Sequence, residues 1–199
     1  MGRSTGLEPA TPGTTNQCSN QLSYDRHNAL DKARGLLKGG SPWLASEAPM
    51  INDTIRKFGY PATLLREYEH WLVLLRPSQV TAGSLVLAAK SDARAYGELP
   101  SAAFVEQGTA IAEIEATLRK TIAYERINYL MLMMVDPHVH FHVIPRYAGS
   151  RDFADIEIKD HGWPGPPDLK SAIALDQDSI AAGRDVLASE WCSAKTNSN

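Results

Sequence analysis

Apolar and polar positions change period along this chain, and each change marks an element. Between residues 62 and 90 the apolar residues crowd into short runs, Ala62 to Tyr68, His70 to Arg76 and Ser84 to Ala89, which predict three β-strands. Pro77 through Gly83 supplies turn residues, and connections this short predict an antiparallel meander. Between Ser101 and Ile122 the spacing lengthens. Phe104, Ile111, Ile114 and Leu118 recur at helical intervals with Glu and Lys among them, predicting one long amphipathic helix over one sheet face. Two more strands are expected, Arg126 to about Val135 and His138 to about Tyr147, split by Asp136-Pro137, a pair that favours a bend. In the first of these, Leu130, Met131, Leu132, Met133 and Met134 read as a buried strand.

The two ends read differently. Residues 1–22 are rich in Gly, Pro, Ser, Thr and Asn, which predicts a disordered tail. A helix is expected from Ser23 to about Leu37, with Ser23 as N-cap and Gly39-Gly40 as terminator. After a rigid loop from Gly162 to Pro167, residues Asp168 to about Trp191 read as one or two closing helices. Strands, long helix, strands and helices in that order predict an α+β fold: one domain over residues 23–194, built on an antiparallel sheet with helices packed on it.

Composition acts mainly by exclusion. A formal charge of −3 offers no basic surface for extended nucleic acid, but a small nucleotide needs only a local phosphate pocket. Cys18 and Cys192 are too few for a disulfide framework and wrongly spaced for a zinc knuckle. The opening residues lack the apolar core of a secretory signal, and no stretch approaches a membrane span, so a cytoplasmic protein without a membrane partner is expected.

The chemistry gathers on one strand. In His138-Val139-His140-Phe141-His142-Val143-Ile144, alternation sends three imidazoles to one side and Val139, Phe141 and Val143 to the other. Half of the six histidines in the chain therefore share a surface whose opposite side is apolar. Two chemistries suit it: a metal site completed by a residue such as His70 or Asp152, or a nucleophilic histidine assisted by its neighbours. An imidazole is partly neutral at physiological pH and nucleophilic at nitrogen, and it forms a labile bond to phosphorus. To attack through one nitrogen, it needs the other held by a hydrogen bond.

This His-φ-His-φ-His-φ-φ pattern, followed by Pro145-Arg146, resembles the histidine triad (HIT) superfamily. The resemblance extends upstream through Trp71 to Pro77 and Val80 to Leu87, and downstream to Arg146, Asp152 and Trp163-Pro164, which are similar to bacterial diadenosine-polyphosphate-hydrolase-like members; it covers about residues 60–167. It implies a nucleotidyl hydrolase or transferase in which His140 attacks the α-phosphorus of a dinucleoside polyphosphate or nucleoside phosphoramidate. His138 and His142 would flank the phosphate, Asn128, Ser84 and Arg146 would bind the substrate, and Trp163 would close the leaving-group side. The scheme requires no metal for the bond-making group, magnesium being at most a companion of a polyphosphate, and family precedent implies a homodimer. A phosphorylase using phosphate or a sugar phosphate as acceptor, and a regulatory nucleotide-binding protein with little turnover, are the alternatives.

Three positions depart from the pattern. Arg76 stands where many members carry an acid for ribose hydroxyls, Ser84 replaces a histidine while keeping a hydrogen-bonding group, and Met133 to Pro137 replaces a Gly-Gln segment. Reaction type is therefore better specified than substrate.

Overall fold

The computed structural model describes residues 50–196, with side chains to Trp191. The expected tail, the expected helix from Ser23 to Leu37, Cys18 and the side chain of Cys192 lie outside the described residues. The fold is α+β, as the element order predicts. A five-stranded antiparallel sheet runs in the order β1 (Leu64–Glu67), β2 (Trp71–Leu75), β4 (Leu85–Ala89), β6 (His140–Arg146), β5 (Arg126–Leu130). Two small ribbons flank it, β3 (Ser78–Gln79) with β9 (Ile173–Ala174) and β7 (Ser150–Phe153) with β8 (Ile156–Lys159).

One face of the sheet packs on helix α2 (Ser101–Thr121). Trp71, Val73 and Leu75 of β2, Leu85 and Leu87 of β4 and Val143 of β6 meet Ala103, Ala110, Ile114 and Leu118. The two alanines let the helix backbone approach closely enough for the Trp71 indole N–H to donate to the Ala103 carbonyl at 2.8 Å. Phe104, expected on the buried stripe, stands at its margin, 38% exposed and edge-on to Tyr96. The C-terminal helix α3 (Gln177–Thr196) adds Leu187 and Trp191 to this core.

The other face is covered too, by a short helix α1 (Asp53–Lys57) whose Ile55, with Phe58 just after it, packs on Leu72, Leu74, Val86 and Ala88. Cover on both sides explains why β2 and β4 are apolar at every position instead of alternating. Asn52 fixes α1 twice over. Its Oδ1 accepts from the Ile55 N–H at 3.0 Å as an N-cap, while its Nδ2 donates to the carbonyls of Ala89 at 3.2 Å and Ser91 at 2.8 Å. Gly59, at φ +89°, takes the left-handed turn that ends the helix.

Three expected elements differ. β5 stops at Leu130, and the segment read as a buried strand is an exposed loop, with Met134 94% and Val135 79% exposed. The ladder between the two strands ends at the Leu130–His142 pair, ahead of a turn at residues 133–135, and the histidine strand begins at His140 and not at His138. Residues 168–191 form a single 3-10 turn (Leu169–Ser171), β9 and α3 in place of helices throughout. Pro145 sits within β6 without breaking a ladder. The Ala89 N–H donates to the Val139 carbonyl at 3.0 Å, so the odd-numbered residues of β6 are the ones that bond to β4, and β4 has ended before Pro145 is reached.

Candidate active site

The registers lay the histidine face out in rows. Leu72, Ala88 and His140 lie side by side across β2, β4 and β6, and Leu74, Val86, His142 and Leu130 form the next row across four strands. Asn128, opposite Ile144, follows one pleat further on. Arg76, two residues beyond Leu74, reaches the same level from the far side.

His140 is fully buried, and its Nδ1 bonds to the carbonyl oxygen of His138 at 2.8 Å. A carbonyl only accepts, so Nδ1 carries the proton and Nε2 carries the lone pair. That Nε2 is buried with no hydrogen-bond partner. The backbone orienter that a nucleophilic histidine needs is thus the carbonyl of the first histidine of the motif. Burial pushes the His140 imidazole below the ordinary histidine range, and the bond to His138 pulls only partly against it. His142 is edge-on to His140 with ring centroids 5.0 Å apart, and its buried Nδ1 has no partner. Burial, then His140 and Arg76, push His142 down to about 4, so both rings are neutral at pH 7.

These shifts make stability depend on pH. The unfolded chain binds protons on both histidines below about 6.5, whereas the folded chain binds them only at lower pH, which for His142 is about 4. Their contribution is therefore complete above about pH 6.5 and is lost as pH falls, that of His142 between about 6.5 and about 4. Urea unfolding at pH 7 and pH 5 should show a loss on the order of 2 kcal/mol that is smaller in His142→Gln. An identical loss in parent and variant would contradict the assignment.

The first histidine is tied to α1. His138 Nδ1 lies 2.9 Å from Thr54 Oγ1, and Lys57 Nζ lies 2.5 Å from Asp136 Oδ1. Phe58 then stands over the other two, with ring centroids 5.5 Å from His140 and 5.6 Å from His142. The Phe58 ring is thus part of the cover over the buried His140. Phe58→Ala should raise the rate at which diethylpyrocarbonate modifies His140 by at least about fivefold and cost about 3 kcal/mol of stability. Peptide mapping of the modified protein checks the first and chemical unfolding the second.

Beyond the histidines, Asn128, Arg146 and Trp163 line one cavity of about 510 Å³ with Arg126 and Leu130. Arg146 is 4% exposed and held on three sides. Its Nε and Nη2 donate to Asp160 at 2.6 and 3.1 Å, Nη2 also to the Gly165 carbonyl at 2.9 Å, and Nη1 to Asn128 Oδ1 at 2.9 Å. The last bond turns the Asn128 amide so that its Nδ2 is free to donate into the cavity. Gly162 allows the loop bearing Trp163 to fold tightly, since a Cβ there would run into the Pro166 carbonyl. Ser84 is not brought to the histidines. Its fully buried hydroxyl donates to the Thr81 carbonyl at 2.7 Å and accepts from the Thr81 N–H at 3.1 Å, which uses it within the turn.

Sequence reasoning missed Thr54, Phe58 and Asp160. For α1 a signal existed, the capping pair Asn52-Asp53 and the stop Phe58-Gly59; for Asp160 there was none. Of the further metal ligands considered, Asp152 lies on β7 and His70 precedes β2, and among the described residues no three His, Cys, Asp or Glu side chains gather as a metal site. No helix among the described residues is long and apolar enough to cross a membrane.

No family model and no curated protein matches the sequence. Solved structures do. A histidine triad (HIT) protein from Sinorhizobium meliloti 1021 superposes with a TM-score of 0.56 at 18% identity, over 70% of this chain and 94% of that one. A hypothetical histidine triad nucleotide-binding protein from Sulfolobus tokodaii gives 0.53 at 14% identity, over 69% and 89%. A histidine triad protein from Bradyrhizobium japonicum gives 0.51 at 19% identity, over 64% and 88%. With the sheet order, the helix across one face and the three histidines on the other, this likeness shows that the chain has the histidine triad fold.

Proposed function

We propose that the protein is a histidine triad nucleotidyl hydrolase or transferase, acting on a dinucleoside polyphosphate or nucleoside phosphoramidate through a covalent nucleotidyl-histidine. The observation that carries this reading is the state of His140: Nδ1 protonated and held by the His138 carbonyl, Nε2 unprotonated and without a partner. In the first step the Nε2 lone pair forms a bond to the α-phosphorus. The bond from phosphorus to the bridging oxygen or nitrogen breaks, and its electron pair leaves with that atom, which takes a proton from solvent. The imidazole becomes cationic, with Nδ1–H still on the carbonyl. In the second step the oxygen of water, or of another acceptor, bonds to phosphorus and gives up its proton to solvent, the P–Nε2 bond breaks, and the lone pair returns to His140.

His142 serves this scheme as a neutral donor. Held well below the ordinary histidine value, it offers an N–H to a phosphoryl oxygen without adding a buried charge. Asn128 Nδ2 is a second donor, Trp163 an aromatic wall for the leaving group, and Arg146 a positioning residue that acts through Asn128. The bond-making group is the imidazole; magnesium enters only as a companion of a polyphosphate substrate. A homodimer is part of the same reading, drawn from the family resemblance.

A second reading, a nucleotide-binding protein with little turnover, draws on the complete burial of His140 beneath Phe58. One experiment separates the two. Incubation with a panel of diadenosine polyphosphates and nucleoside phosphoramidates should release mononucleotide steadily and trap an acid-labile labelled histidine. Binding without release or trapping would favour the second reading, and added phosphate that appears in the product would identify a phosphorylase.

A further inference from the structure

Two buried or half-buried arginines lie on the histidine face, and the chain treats them in opposite ways. Arg146 has a carboxylate, a carbonyl and an amide oxygen to itself. Arg76 has one carbonyl, that of Ser78, bonded to Nη1; its Nε is buried with no partner, and it belongs to no ion pair among the described residues. Removing a guanidinium from water without a counter-charge is costly, and folded chains rarely leave the cost uncompensated. Burial alone accounts for the depression of its proton affinity, so no carboxylate offsets the charge.

Its position gives that charge a purpose. The Arg76 N–H donates to the Ser84 carbonyl at 3.0 Å, which places the residue at the end of β2 beside the start of β4. On the histidine face it stands one pleat past the row of Leu74, Val86 and His142, level with Asn128. The guanidinium is near enough for His142 to feel its charge.

We infer that Arg76 binds a second anionic group of the substrate, a phosphate other than the one His140 attacks, through the unpartnered Nε and the free N–H groups beside it. The inference rests on the proposed nucleotidyl transfer and narrows its substrate to nucleotides with at least two separable phosphates. Arginine suits the task because its fork presents parallel donors to two oxygens of one phosphate, which a lysine cannot do. With that phosphate bound, the buried cation has its counter-charge.

The test compares AMP, ADP, adenosine 2′,5′-bisphosphate and adenosine 3′,5′-bisphosphate by calorimetry on the whole chain, with inorganic pyrophosphate as a base-free probe. At least one doubly phosphorylated probe should bind the parent at least about tenfold more tightly than AMP. Which one does so locates the second phosphate on the sugar or in the chain. Arg76→Gln should erase that advantage while leaving AMP affinity within about twofold, and Arg76→Lys should keep part of it. All four nucleotides binding the parent within about twofold of one another would overturn the inference without need of any variant, as would an advantage that survives Arg76→Gln. Arg76-dependent binding of pyrophosphate with no binding of AMP would sink the nucleotide reading and leave the anion site standing. Failure of every probe would sink both.

Discussion

Replacing His140 by alanine should lower turnover by at least about a thousandfold, because it removes the atom that bonds to phosphorus and leaves the rest of the pocket in place. The ring is fully buried and gives its Nδ1 proton to the His138 carbonyl, so the same change should cost about 1–3 kcal/mol of stability through the unpaired carbonyl and the small void. The two effects separate readily. Circular dichroism should show the parent fold, the melting temperature should fall modestly, and the acid-labile adduct should vanish. Turnover near the parent value, with adduct still trapped, would assign the covalent role elsewhere.

Asp160→Ala should have the largest effect on stability of any change at the site. Asp160 is 4% exposed, holds Arg146 through both oxygens, and accepts from the N–H groups of Tyr147 at 3.4 Å and Gly162 at 3.1 Å. Its removal strands a buried guanidinium, a loss of about 3–5 kcal/mol, or on the order of 10 °C in melting temperature for a domain of this size. The effect should not end with stability. Arg146 turns Asn128, so the variant should bind nucleotide more weakly even at temperatures where it is fully folded. Calorimetric melting and nucleotide titration at 10 °C check the two parts, and a variant that melts like the parent would show the pair to be dispensable.

What could be read from the sequence follows the range of the forces involved. The strand of histidines declares itself through strict alternation, and α2 through a 21-residue amphipathic run, because both patterns are local. The site around them is assembled from distant pieces. Thr54 meets His138 across 84 positions and Lys57 meets Asp136 across 79, contacts that no local pattern encodes. Arg146 was legible as a residue beside the triad, but its charge is spent on Asp160, and the Asn128 orientation it sets depends on a loop closed by Gly162. The methionine segment misled for a different reason. Apolar residues from Leu130 to Met134 look like strand interior, yet the ladder stops at Leu130 and the turn at residues 133–135 leaves Met134 in solvent.

Pro145 bears on how the histidines find their side of the sheet at all. Sliding β6 by a single residue would turn the imidazoles into the apolar layer under α2 and the bulky Phe141 outward. Sliding it by two would keep the imidazoles facing correctly but bring Pro145 opposite Leu85, where the ladder requires the N–H that Val143 supplies and proline lacks. The ring three residues past the last histidine thus acts as a peg for strand alignment: misaligned pairings lose either core burial or a hydrogen bond, and the chain arrives at one registration.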